Sequence, residues 1–366
     1  MNPQPIFING RFLAQPVTGV QRYAREVVLA LDDLLAAGEI DRDHYAFVIV
    51  SPVGANDLPG LKHITFRFAG PLRGQAWEQL VLPAISKSGW LLSLCNVGPL
   101  LKRRHMVTIH DASVFAYPEA YSLGFRAWYQ LALPILGKTA ARILTDSHFS
   151  ESELIKYCGL SPDKIAVVSL GVDHMSRLQP DYNVFQKHRL GEKPYILAAS
   201  SLSPHKNFMR LAQAFNLLRN EDVDIVVAGG ANPKVFSNSR FSSNQANVHY
   251  LGYVSDGELK ALYERAHCFV YPSLYEGFGL PPLEAMACGC PVIVSDAASL
   301  KEVCGTAALY CDPKSHKDIA DKISLLLADA ALREKLCGTG RMWATRFRWS
   351  DTARAIWEET VRMIRK

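Results

Sequence analysis

Short apolar runs alternate with amphipathic stretches along the whole chain, the pattern of repeated βα units built around parallel sheets. The first unit shows the logic. Ile6-Phe7-Ile8 reads as a strand, and behind it Val20, Tyr23, Ala24, Val27, Val28, Leu31 and Leu34 recur at helical spacing. Thr18 followed three residues later by Gln21 makes a capping box, so this helix starts near Gly19. Further strands are predicted at Ala46–Val50, Ile64–Phe68, Leu91–Leu94, Met106–Ile109, Ile143–Thr145 and Ile165–Ser169. Ser150 and Glu153 are expected to cap a helix that stops at Gly159.

A second series follows, with strands predicted at Tyr195–Ala199, Ile225–Ala228, His249–Leu251, Phe269–Tyr271, Val292–Val294 and Ala308–Tyr310. Helices should begin near Lys206, Ser255, Leu280 and His316. Gly171 to Lys193 is polar, contains Pro180 and has no periodicity, which places a boundary between a domain at 1–175 and a domain at 176–366. A chain of 366 residues also exceeds what one ordinary core holds. Ser350 to Arg365 forms a last helix with Ala353, Ile356, Trp357, Thr360, Val361 and Ile364 on one face. A face that wide must dock on something. The sequence leaves open on which domain, and docking of 350–366 back on the N-terminal one is carried as an option.

Composition changes this picture little. The apolar fraction of 49% and charged fraction of 20% suit an α/β protein with buried parallel strands. The net charge of +5 is spread evenly, with 17 basic and 15 acidic side chains in residues 1–180 against 23 and 20 in the remainder. A nucleic-acid binder would concentrate that excess on one face, so no nucleic acid is expected. The one dense basic cluster, Lys102, Arg103, Arg104 and His105, is either a solvated loop or a contact for anionic lipid headgroups. Eight cysteines without C-x-x-C spacing read as reduced thiols of a cytosolic protein. The start lacks a basic, then apolar, leader, and no apolar run reaches the roughly 18 residues of a membrane span. A cytoplasmic chain is expected, with peripheral contact at the cytoplasmic face of the inner membrane as an option; Trp77, Leu80, Val81, Leu82 and Trp90 could serve that contact or the core equally.

The most informative segment runs from Tyr275 through Glu276, Gly277, Phe278, Gly279, Leu280, Pro281, Pro282, Leu283 and Glu284 to Gly289, after a strand and into a helix. Two glycines let backbone approach a ligand closely, and the helix start offers N–H groups and partial positive charge to an anion. Pro281 and Pro282 fit a first turn, where no N–H partner is required. One carboxylate could then hold a ribose and the other a sugar.

This segment resembles the signature of the family 4 retaining glycosyltransferases of the GT-B fold, two glutamates separated by seven residues in a Gly-Phe-Gly-Leu-Pro context, here Glu276 and Glu284. The resemblance implies an α/β, GT-B fold of two Rossmann-like domains with parallel sheets facing across a cleft. It implies that Glu284 binds the nucleotide ribose, that Glu276 contacts the donor sugar, and that backbone N–H groups at Phe278, Gly279 and Leu280 meet sugar and phosphate oxygens, with Gly277 a further substrate contact. The stretch from Ser200 to Asn207 is a second landmark, in which Lys206 would clamp the leaving diphosphate beside Ser201, His205 and Asn207. The family often has an arginine at the position of Ser201 or His205; this chain has neither, so His205 would add charge only when protonated. Gly229, at the end of a strand, and Val254, before a capped helix, resemble positions that border the nucleotide. In the first domain His110-Asp111 follows a strand, and the resemblance places His110 against the donor sugar; Gly19 resembles the glycine that lets phosphate approach, and Ser147 is a weaker parallel.

The assignments are thus His110, Lys206 and Glu276 as catalytic residues and the others as substrate contacts. Neither a metal nor a cofactor is expected. Asp222-Val223-Asp224 enters its strand at the amino end and reads as a surface feature, leaving Lys206 and the helix start at Leu280 to replace the cation. The start Thr18-Gly19-Val20-Gln21-Arg22-Tyr23 and the Pro204-His205-Lys206-Asn207 stretch look most like bacterial mannosyltransferases that build surface polysaccharide from GDP-mannose on a lipid-linked saccharide acceptor. A UDP- or dTDP-sugar donor, a sugar-nucleotide epimerase and a non-catalytic nucleotide-sugar-binding partner remain open.

Overall fold

Every predicted apolar run becomes a strand, and the strands gather in two sheets. The computed structural model describes residues 3–191, 193–199, 203–218, 222–229 and 247–366. The chain divides into one unit of Met1–Gly171 with Arg348–Lys366 and another of Val172–Phe347.

In the first unit β1 (Gln4–Asn9), β2 (Tyr45–Ser51), β3 (Thr65–Phe68), β4 (Trp90–Ser93), β5 (His105–Thr108), β6 (Arg142–Thr145) and β7 (Ile165–Val167) lie in the order β3-β2-β1-β4-β5-β6-β7. All pairs are parallel, with Ile6 opposite Phe47 on one side and Trp90 on the other. The helices α1 (Gly19–Ala36), α2 (Leu123–Thr139) and α3 (His148–Cys158) belong to this unit. The capping box that starts α1 is present, with the Gln21 carboxamide oxygen accepting from the Thr18 N–H at 3.2 Å. The start of α3 corrects the sequence reading: Ser147, three residues before Ser150, is the N-cap and accepts from the Ser150 N–H at 3.0 Å. Gly159 ends α3 in the left-handed region at φ 62°, where a side chain is disfavoured.

In the second unit β8 (Tyr195–Ala199), β9 (Asp224–Ala228), β10 (Val248–Gly252), β11 (Cys268–Tyr271), β12 (Val292–Ser295) and β13 (Leu309–Cys311) are parallel in the order β10-β9-β8-β11-β12-β13. Its helices are α4 (Phe208–Leu218), α5 (Asp256–Arg265), α6 (Leu280–Ala287), α7 (His316–Ala328) and α8 (Ala330–Ala344). Ile196, Val227, Val270 and Ile293 from the sheet meet Phe208, Phe215, Ile319 and Ile323 from α4 and α7 in one core. Asp224 begins β9, so the Asp222-Val223-Asp224 stretch does lie at the amino end of its strand, but it is not the surface feature expected: Val223 and Asp224 are buried, and Asp224 Oδ2 lies 3.3 Å from His249 Nε2.

The last helix, α9 (Trp349–Ile364), packs on α1. Trp349 is 1% exposed with its ring 6.1 Å from that of Tyr23, and Trp357 meets the ring of Tyr45 edge-on at 4.7 Å. Two ion pairs hold the same helix, Arg142 with Glu359 at 2.6 Å and Arg354 with Glu39 at 2.7 Å.

The expected basic cluster dissolves in the structure. Lys102 is half-buried and its ammonium donates to the carbonyls of Ser86 and Gly89, while His105 is fully buried with Nε2 2.9 Å from the Ser93 hydroxyl. Only Arg103 and Arg104 face solvent, next to Leu101. Trp77, Leu82 and Trp90 are likewise core, and of that group only Leu80 is an exposed large apolar side chain. No helix among the described residues is long and apolar enough to cross a membrane.

Burial pushes the His105 imidazole down to about 3, with Lys102 adding to the effect. A histidine neutral in the fold and protonated when unfolded withdraws stability below its unfolded pKa of ~6.5, by about 1.4 kcal/mol per pH unit. Denaturant unfolding of the wild type should therefore weaken more steeply between pH 6 and pH 4 than that of His105→Gln. Equal slopes would show that His105 is not buried neutral.

Candidate active site

The second unit gathers its chemistry at the carboxyl edge of its sheet. Lys206 closes a 3₁₀ turn, Pro204–Lys206, after β8, and α4 starts only at Phe208. Asn207 separates the two in the left-handed region at φ 61°. Lys206 therefore does not sit in the first turn of α4 as expected, and another group offsets its charge. Its ammonium donates to both oxygens of Glu276, at 2.6 and 2.8 Å, and to the Tyr271 hydroxyl at 3.2 Å. The side chains are 17% and 9% exposed. Burial alone would strip the ammonium, but the Glu276 carboxylate and Tyr271 outweigh it and hold Lys206 above its ordinary value.

The loop carrying Glu276 is fixed by residues that the sequence did not single out. The Ser299 hydroxyl donates to the carbonyls of Glu276 and Phe278 at 3.0 and 2.8 Å, and the Leu274 N–H donates to the His205 carbonyl at 2.7 Å. The Lys206 and Glu276 loops are thereby tied by backbone as well as by charge. No sequence signal marks Ser299, because it is remote in the chain and serves only backbone.

Gly279 is the N-cap of α6 with φ 105°, and a Cβ built there would stand 2.5 Å from Leu300 Cδ2. Both facts require glycine. Leu280, Pro281 and Pro282 then form the first turn. Four N–H groups are normally left over at a helix start, and the two prolines remove two of them. The free donors are thus confined to Gly279 and Leu280, a concentrated anion-facing tip.

Glu284 lies one turn further in and points to a different partner, accepting from or pairing with His174 Nε2 at 3.1 Å; both are buried. The structure therefore joins Lys206 with Glu276 and sets Glu284 apart on α6, against a histidine from elsewhere in the chain that the sequence reading missed. Among the other expected contacts, His205 and Gly277 are buried and Val254 is half-buried before the capping box Ser255–Glu258. Gly229 has φ 96° and donates to the Gly252 carbonyl at 2.7 Å. Asn207 uses both amide hydrogens on the carbonyls of Pro272 and Pro313, at 2.9 and 2.6 Å, so its side chain ties loops together. Ser201 lies outside the described residues.

In the first unit His110 follows β5. Its Nδ1 is 2.7 Å from Asp146 Oδ2, its Nε2 is 3.1 Å from the Leu94 carbonyl, and its ring meets Tyr23 edge-on at 4.7 Å. Asp111 accepts from the Ser113 N–H at 2.8 Å, just ahead of the short helix Ser113–Ala116. Ser147 is occupied as the cap of α3. Gly19 is exposed, and a Cβ there would meet nothing within 4 Å, so no protein contact demands glycine.

Comparison with known proteins agrees with this arrangement unit by unit. Residues 17–175 match the model of the family described as Glycosyltransferase Family 4, and residues 182–343 match that of Glycosyl transferases group 1. The chain is 32% identical over 360 residues to O-antigen chain mannosyltransferase B of Escherichia coli, covering 92% of this chain and 94% of that protein. It is 27% identical to O-antigen chain mannosyltransferase RfbU of Salmonella typhimurium over 85% and 88% of the two chains. In fold it is similar to sucrose-phosphate synthase of Thermosynechococcus elongatus, with TM-score 0.73 at 19% identity and 99% of each chain covered. It also resembles WaaG, a glycosyltransferase involved in lipopolysaccharide biosynthesis, with TM-score 0.69 at 16% identity over 96% and 98%. With two parallel-sheet Rossmann-like units, a Lys206–Glu276 pair and a glycine-capped helix, the chain belongs to the family 4 glycosyltransferases of the GT-B fold.

Proposed function

We propose that the chain transfers mannose from GDP-mannose to a lipid-linked saccharide acceptor in the synthesis of a surface polysaccharide, with retention of configuration and without a metal. The observation that carries this reading is the bidentate Lys206–Glu276 pair, whose backbone loops are tied together close in sequence to the N–H tip of α6. A departing diphosphate carries negative charge that an ammonium and a helix start stabilise. Lys206 turns to the diphosphate, and Glu276, released from it, accepts from the sugar hydroxyls. Glu284, aligned by His174, takes the ribose. His110 acts in the transfer step. The choice of mannose follows the two O-antigen mannosyltransferases to which the chain is similar.

In the step itself the acceptor hydroxyl oxygen bonds to the anomeric carbon on the face the diphosphate leaves. The carbon–oxygen bond to the diphosphate breaks, and the hydroxyl proton passes to a diphosphate oxygen. Contact with the cytoplasmic membrane face is part of the proposal, through Leu101, Arg103 and Arg104, which are exposed together.

A thermal-shift panel of GDP-, UDP-, dTDP- and ADP-sugars tests the donor. A ligand at 100 times its Kd adds ~2.7 kcal/mol to stability, and at equal concentrations GDP-mannose should give the largest shift. A larger response to a UDP- or dTDP-sugar would replace the donor. Nuclear magnetic resonance of the product should show an α-linked mannose, and a β-linkage would overturn retention.

A further inference from the structure

We propose that Asp146 is a positioning residue that locks the His110 ring in a single orientation and a single protonation pattern. This rests on His110 acting in the transfer step, and it starts from how completely that residue is held. Its backbone N–H donates to Asn96 Oδ1 at 2.8 Å, its carbonyl accepts from the Ser150 hydroxyl at 2.8 Å, and its ring lies against Tyr23. A carbonyl only accepts, so Nε2, facing Leu94, must carry a hydrogen. One further proton then occupies the 2.7 Å line between Nδ1 and Asp146 Oδ2, and the pair is neutral overall whichever atom holds it.

Asp146 is 3% exposed, and its second oxygen, Oδ1, is buried with no hydrogen-bond partner among the described residues. An orphaned carboxylate oxygen costs free energy that a side chain kept for packing need not incur. The contact to Nδ1 is what the carboxylate supplies. Facing this pair are Asp111 beside it in sequence, Tyr23 from α1 and, beyond the tyrosine, Cys95. Burial alone would strip the ring proton; Asp146, chiefly, reverses that and holds His110 above the ordinary imidazole value.

Ring-nitrogen resonance spectra of histidine-labelled protein read this directly. In the wild type His110 should titrate above the ordinary imidazole value, and in Asp146→Asn its midpoint should fall below that of the wild type. Turnover of GDP-mannose by Asp146→Asn should fall about 10- to 100-fold in kcat, as for other residues that orient a functional histidine, with donor KM within about two-fold. In a His110→Gln background the same substitution should change kcat less than about two-fold, since the group it orients is gone. Wild-type His110 titrating like a free imidazole would overturn the proposal, even if the variants fail to fold. So would an unchanged kcat and pH profile in Asp146→Asn, or an undiminished effect in the His110→Gln background. If the wild type turns over no nucleotide sugar, the functional reading fails instead, and the spectra still decide the role of Asp146.

Discussion

Lys206→Ala lowers kcat/KM for donor turnover by about 10²- to 10³-fold, the usual cost of removing a group aimed at developing charge. It also destabilises the free protein, because the buried Glu276 carboxylate loses the ammonium it pairs with. Breaking one partner of a buried pair costs about 3–5 kcal/mol, whereas replacing both with neutral groups of similar size is often close to neutral. The double variant Lys206→Met, Glu276→Gln should therefore regain most of the wild-type unfolding temperature and remain inactive. This separates the two roles of the pair. If the single variant keeps its activity, the ammonium does not serve the leaving group. If the double variant is as unstable as the single one, the loss comes from packing of the lysine stem and not from the stranded carboxylate.

Gly279→Ala comes second in size. Holding a non-glycine residue at a strongly positive φ costs about 1–3 kcal/mol, and the added methyl meets Leu300. Relief requires either Leu300 or the start of α6 to move, and moving the latter displaces the N–H groups of Gly279 and Leu280. Thermal unfolding should fall by about 5 °C for a unit of this size. Donor affinity should fall about ten-fold through misplacement of the tip. Gly19→Ala provides the contrast, since the protein leaves that methyl in open space. Its unfolding temperature should be unchanged, and any loss of turnover there would come from the ligand. A Gly279→Ala protein with wild-type affinity would show that the backbone N–H groups do not hold the donor.

Much of the fold was legible because a parallel strand buried on both faces is a nearly unbroken apolar run. Tyr195–Ala199 was read to the residue, and the other runs, such as Ile225–Ala228, were found within one or two. Boundaries failed where capping chemistry was ambiguous. Ser147 and Ser150 both offer a hydroxyl where α3 begins, and only the structure shows that Ser147 is the cap and accepts from the Ser150 N–H inside the first turn. The helix expected at Lys206 starts two residues later because Asn207 takes a left-handed conformation, which its amide secures by binding two carbonyls. Hydrophobic pattern carries no trace of that.

The site was legible where it is local. Glu276, Gly279, Leu280 and Glu284 share one segment, so loop chemistry and helix start could be read together. The pairing of Lys206 with Glu276 spans seventy residues and depends on β8 and β11 being neighbours, which no short spacing encodes. His174, Ser299 and Asp146 were missed for the same reason. The basic cluster failed in the opposite sense: Lys102 and His105 look solvated in a row of four basic residues, but the strand β5 carries His105 inside.

The central claim is that Lys206 reads the diphosphate and Glu276 reads the sugar. Calorimetric titration of GDP and GDP-mannose into the wild type and Glu276→Gln tests it most directly. GDP should bind Glu276→Gln at least as tightly as wild type, because the ammonium no longer has a carboxylate to leave, while the added affinity contributed by mannose should vanish. Equal weakening of both ligands, or no change in either, would contradict the account.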